Sequence, residues 1–138
     1  MRSLPVFLVF AIFIAGIVVP TKPSKGNGKK VDVLLCNIEN AIRNYRFHDF
    51  ESNFNQEFDS QAWFRRYYSE LSDKERNTIV IRRFGAVELR SDGRGLRFKY
   101  SESRDADGEF YLRSFDAEAV FSENGQLKVQ SVTAYRMF

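Results

Sequence analysis

The stretch Gly95–Ser122 reads GLRFKYSESRDADGEFYLRSFDAEAVFS. Leu96, Phe98 and Tyr100 alternate with Arg97 and Lys99, and Phe115, Ala117, Ala119 and Phe121 alternate with Asp116, Glu118 and Val120. A period of two is the pattern of a half-buried strand. Asp107-Gly108 between the two runs is a strong hairpin signal. A two-residue turn there sets Leu96 opposite Ala119, Phe98 opposite Ala117 and Tyr100 opposite Phe115. Apolar residues then meet on one face, and a slip of one residue would turn every side chain over.

The same pattern extends on both sides. Four runs, at about 78–90, 95–104, 109–122 and 126–137, are separated by Asp92-Gly93, Asp107-Gly108 and Asn124-Gly125. They predict a four-stranded antiparallel meander. A turn at Asp92-Gly93 sets Leu89 opposite Leu96, Val87 opposite Phe98 and Gly85 opposite Tyr100. For the last hairpin, a loop of Glu123, Asn124 and Gly125 keeps the faces consistent, whereas a two-residue loop mixes them. The longer loop sets Phe121 opposite Leu127, Ala119 opposite Val129, Ala117 opposite Ser131 and Phe115 opposite Thr133, with Gly125 in the left-handed region.

Upstream the period changes to that of a helix. Val31, Leu34, Leu35, Ile38, Ala41, Ile42 and Tyr45 share one face at about 100° per residue, so a first helix is expected over 31–46, with Glu39 and Arg43 paired on its flank. Phe47, Phe50, Phe54 and Phe58 predict a second helix over 48–58. Asp59 or Ser60 caps a third over 60–71 that buries Trp63, Phe64, Tyr67, Tyr68 and Leu71. Ser72 and Glu75 have capping-box spacing for one more turn. The fold class is therefore α+β.

Val6–Val19 is an uncharged, apolar run that follows Arg2 and ends at Pro20. Its fourteen residues would span about 21 Å as a helix, short of the roughly 30 Å bilayer core. This favours a cleaved signal peptide over 1–20, and a secreted, extracellular product, over an uncleaved anchor. Residues 21–30 (TKPSKGNGKK) read as a flexible linker, and 31–138 as one α+β domain. Five of the 21 basic residues and none of the 18 acidic ones precede Val31, so 16 basic and 18 acidic groups remain for the domain. That balance excludes a nucleic-acid footprint, and no membrane association is expected once the signal is removed.

One row on the inner sheet face is polar: Arg83, Glu102, Arg113 and Tyr135, beside a row in which Tyr100 covers Gly85. The ion pairs available to Glu102 would make a structural network. Alternatively, the row forms a ligand patch for an anionic group, with Arg83, Glu102, Arg113, Tyr135 and Tyr100 in contact. A general base is disfavoured because it needs a pKa near the working pH, and flanking arginines push a carboxyl the wrong way. His48 is the sole histidine and Cys36 the sole cysteine, so no metal site and no cofactor is expected. Both point away from their helices' buried faces, which leaves Cys36 open to an intermolecular disulfide. The outer sheet face gathers Val80, Phe84, Phe110, Leu112, Val132, Ala134 and Phe138, a surface suited to a homodimer.

Ala41–Phe58 (AIRNYRFHDFESNFNQEF), followed by helices and a meander, resembles the opening of small secreted nematode members of the nuclear-transport-factor-two-like family. That group belongs to the cystatin-like α+β cone folds. The resemblance implies a bent sheet wrapped on helices, pairing through the outer sheet face, and a group that holds enzymes, ligand binders and dimerisation modules. Gln130–Ala134 (QSVTA) also resembles the inhibitory loop of true cystatins. The expected function is a secreted, non-catalytic domain that binds a small molecule with an anionic group or a protein. A cone-pocket isomerase or hydrolase, and a cysteine-protease inhibitor, are the alternatives.

Overall fold

Four helices precede four strands in the computed structural model, which describes residues 25–134. The helices are α1 (Lys25–Arg43), α2 (Phe47–Glu51), α3 (Ser60–Tyr67) and α4 (Asp73–Asn77); the strands are β1 (Val80–Leu89), β2 (Gly95–Ala106), β3 (Glu109–Phe121) and β4 (Leu127–Ala134). The strands form one antiparallel sheet in the order β1-β2-β3-β4, as the turn signals predict. The expected signal segment 1–20, the linker residues 21–24, and Tyr135 and Phe138 lie outside the described residues.

The expected stripe of α1 is the core face: Val31, Leu34, Leu35, Ile38, Ala41 and Ile42 are all buried. The helix begins six residues earlier than expected, inside the stretch read as linker. Tertiary contacts hold this end of the helix. A Cβ on Gly28 would sit 3.3 Å from the Arg83 guanidinium, Asp32 pairs with Arg83 at 2.8 Å, and the Lys30 ammonium lies 5.2 Å from the centre of the Phe121 ring. Tyr45 departs from the stripe. Its φ of 53° ends the helix, the Arg46 N–H reaches back to the Ala41 carbonyl at 2.9 Å, and its ring is 48% exposed.

The second helix is shorter than the Phe spacing predicts. Ser52 Oγ and Asn53 Nδ2 both donate to the Asp49 carbonyl, at 2.7 and 2.9 Å, so side chains compete with the next helical turn. The chain then runs along β4. Asn55 N–H donates to the Val129 carbonyl at 2.7 Å, and Val129 N–H donates to the Asn53 carbonyl at 2.9 Å. Phe50, Phe54 and Phe58 nevertheless remain a ladder of rings, with centres 4.7 and 5.0 Å apart. Asp59 caps α3 by accepting from Ala62 N–H at 3.0 Å, and the Ser72–Glu75 capping box is present on α4. α3 ends at Tyr67, four residues before its expected end, where Tyr68 leaves helical geometry.

The β2–β3 register follows the sequence reading without a slip, from Gly95 opposite Val120 to Ala106 opposite Glu109. Asp107 and Gly108 both have positive φ, as a tight two-residue hairpin turn requires. The β3–β4 hairpin also starts as expected, with Phe121 opposite Leu127, Ala119 opposite Val129 and Gly125 at φ 85°. One extra residue, Gln130, then bulges out, so Ala117 faces Val132 and Phe115 faces Ala134. Val132 therefore packs on the core, while Ser131 and Thr133 are exposed. The expected outer patch loses Val132 and Ala134 for this reason, since burying Val132 outweighs burying Ser131.

The β1–β2 pairing starts at Leu89 opposite Leu96 as expected, across a longer loop in which Gly93 N–H donates to the Arg90 carbonyl at 2.9 Å. Extending a loop equally on both sides leaves the register unchanged. A bulge between Phe84 and Glu88 then shifts the strand by two residues. Arg83 faces Tyr100 rather than Glu102, Ile81 faces Glu102, and Gly85 is not opposite Tyr100. The shift draws the fully buried Ile81 under α1. Leu89, expected on the inner face in a row with Leu96, is 59% exposed at the strand's end.

Candidate functional site

The polar row of the sheet survives in part. Glu102 is only 2% exposed. Its Oε2 receives Arg113 Nη2 at 2.6 Å, and its Oε1 receives the Tyr68 hydroxyl at 2.5 Å. The Arg113 guanidinium lies 4.4 Å from the Tyr67 ring centre, and Tyr100 stacks on Phe115 at 5.1 Å. Arg83 is not part of this cluster, because it pairs with Asp32 on α1 and donates to the Gly85 carbonyl at 3.2 Å. Tyr68 was not among the expected site residues. Its signal was available, since a Tyr on a helix's buried face needs a partner for its hydroxyl.

Electrostatics follow from this packing. Burial, reinforced by the Glu102 carboxylate, pushes the Tyr68 phenol well above its usual range and raises Tyr100 too. Burial works against the Arg113 cation, but the facing Glu102 more than offsets it and raises its pKa. Arg113 Nε remains buried without a hydrogen-bond partner. The cluster is thus a Glu102 side chain paired with a guanidinium on one oxygen and capped by the Tyr68 phenol on the other. Among the described residues, the aromatic side chains beside it leave little space between helices and sheet. A void of about 10 Å³ lies among Phe50, Phe54, Trp63, Tyr68 and Tyr100, about the minimum for one water.

A second feature is open to solvent, and the sequence reading missed it. A cleft of about 710 Å³ lies between α1, the Ser52–Asn53 segment and the start of β4. Gly26, Lys30, Val33 and Asn37 recur at helical spacing and line one wall. Lys29 joins them, and Lys128 closes the far side, where its ammonium donates to the Ser52 carbonyl. Leu34 and Leu127 supply an apolar floor, and among the described residues no carboxylate lines the cleft. α1 has no acidic residue in its first turn, so its positive end adds to the lysine field. These lysines lie in separate stretches of sequence, at 29–30 and 128, which is why periodicity could not join them.

The remaining candidates stand apart. Cys36 is exposed on α1 with Asn40 Nδ2 3.8 Å from its sulfur, and His48 is exposed on α2. Among the described residues no group of three His, Cys, Asp or Glu side chains could hold a metal ion. Gln130–Ala134, the stretch similar to a cystatin loop, lies within β4. No protein-family model, no curated protein and no solved structure matches the chain.

Proposed function

We propose that this chain is a secreted, non-catalytic binding domain that takes an anionic ligand in the open lysine-walled cleft. The observation that carries this reading is the lining of that cleft: Lys29, Lys30 and Lys128, with no carboxylate among the described lining residues. A site of one sign, next to low-dielectric walls, concentrates ligands of the other sign. The filled interior supports the same choice, since a void of about 10 Å³ leaves no room for a substrate. Glu102 argues against the cone-pocket enzyme. It is only 2% exposed and paired with Arg113, whereas a general base must come within hydrogen-bond reach of its substrate. The order of helices and meander supports membership of the nuclear-transport-factor-two-like cone folds, in which pairing through the outer sheet face is one mode of association. The apolar run of residues 6–19 supports export.

Titration with a fluorescent hexaglutamate peptide tests the reading. Lys29→Glu/Lys30→Glu is expected to weaken binding by about tenfold or more, and Glu102→Gln to leave it unchanged. Equal affinity in wild type and the double lysine variant would overturn the cleft assignment.

A further inference from the structure

We infer that the lysine cleft receives the β2–β3 hairpin tip of a second copy of this chain. The inference rests on the reading of the cleft as anion-selecting and names its occupant. The tip carries Asp105, Asp107 and Glu109 within five residues, all exposed. Beside them Phe110, Tyr111 and Leu112 are 68%, 42% and 59% exposed, an apolar run that a soluble surface does not ordinarily show. Arg104, next to Asp105 in the chain, is held by Glu75 at 3.3 Å and lies 5.0 Å from the Tyr111 ring, and among the described residues the Glu109 side chain accepts only from the Tyr111 hydroxyl. The cleft is the complement, with three lysines, an apolar floor, and Val33 51% exposed at its wall.

The tip cannot reach its own cleft. The two lie at opposite ends of β3, a strand of thirteen residues, roughly 40 Å at about 3.3 Å per residue. The contact is therefore between copies. Two copies placed antiparallel satisfy both ends at once, which closes the assembly as a two-fold dimer. The sheet edges favour this mode over strand pairing. At β1, Glu39 Oε1 accepts from Ile81 N–H at 2.8 Å; at β4, Asn53 and Asn55 take the backbone groups of Val129.

Sedimentation equilibrium of the secreted protein tests the contact with a charge swap. The wild type is expected to associate, and its association constant to fall about tenfold or more between 0.05 and 0.5 M salt as screening shortens. Asp105→Lys/Glu109→Lys alone and Lys29→Glu/Lys30→Glu alone are each expected to be monomeric with unchanged thermal melts. Their equimolar mixture is expected to associate again. Phe110→Ser, which alters no charge, is expected to weaken association at least threefold and serves if a charge variant fails to fold. A monomeric wild type at about 100 µM, a monomeric mixture, or variants that associate like the wild type would each overturn the inference. Hexaglutamate binding by a monomeric wild type would overturn the tip contact while the cleft reading stands.

Discussion

Glu102 is the residue whose environment decides most about the interior. It is nearly inaccessible, yet both oxygens are occupied, one by a cation and one by a phenol. Breaking one partner of a buried pair leaves the other uncompensated, so Glu102→Gln is expected to cost about 3 kcal/mol in urea melts, well above an exposed Glu→Gln change. Tyr68→Phe removes a hydrogen bond to a charged group, at about 1.5–3 kcal/mol. It also alters the alkaline response. Burial and then Glu102 raise Tyr68, so the folded chain retains a proton that the unfolded chain releases. That stabilisation is complete below about pH 10 and is lost as pH rises beyond it. The urea midpoint of wild type is therefore expected to fall more steeply above that pH than that of Tyr68→Phe. An identical alkaline slope in both would contradict the assignment. Glu102 and Arg113 were legible as a cross-strand pair because the intervening hairpin is tight. Arg83 was not, because its true partner, Asp32, lies 51 positions away on α1.

At the scale of elements, two glycines flanking β3's neighbours act by different means. Gly125 adopts a φ of 85° in open space, so Gly125→Val meets only backbone strain, expected at about 1 kcal/mol. Gly95 has an ordinary φ, but a Cβ there would lie 2.0 Å from the Ala119 carbonyl oxygen. Gly95→Ala is expected to cost about 3 kcal/mol through overpacking of backbone against backbone. Thermal melts of the pair check the order, and Gly125→Val exceeding Gly95→Ala would be inconsistent with it. Only the first effect was readable from Asn124-Gly125. The two bulges show a similar contrast. The one-residue bulge at Gln130 leaves a trace in the sequence, because Val129 and Val132 are three apart where alternation demands two or four. The two-residue shift in β1 leaves none, because an even slip returns every side chain to its own face.

Across the whole molecule, the helical layer does more than cover one sheet face. α1 reaches the β1 edge through Glu39, which also meets Arg82 at 2.9 Å and Arg43 at 3.6 Å. The Asn53–Asn55 segment closes the β4 edge. An exposed edge invites pairing with other chains, and these contacts withdraw it. Glu39→Ala strands the Ile81 N–H and removes a buried acceptor, and it is expected to destabilise by about 2 kcal/mol. It is also expected to raise aggregation on heating, measured by light scattering. An unchanged melting temperature would show that β1 needs no such cover.

The α+β class, the four strands, the tight β2–β3 register, the first residues of the other two hairpins, the α1 stripe and both helix caps were determined by the sequence alone. Each depends on residues within one element or across one short turn, where alternation, helical period and turn chemistry act locally. The tertiary structure alone decided the early start of α1, the short α2, the even slip in β1, the partner of Arg83, and the meeting of Lys29, Lys30 and Lys128 around one cleft. Those outcomes are set by burial and pairing between groups far apart in the chain, whose free energies enter only once the elements have packed.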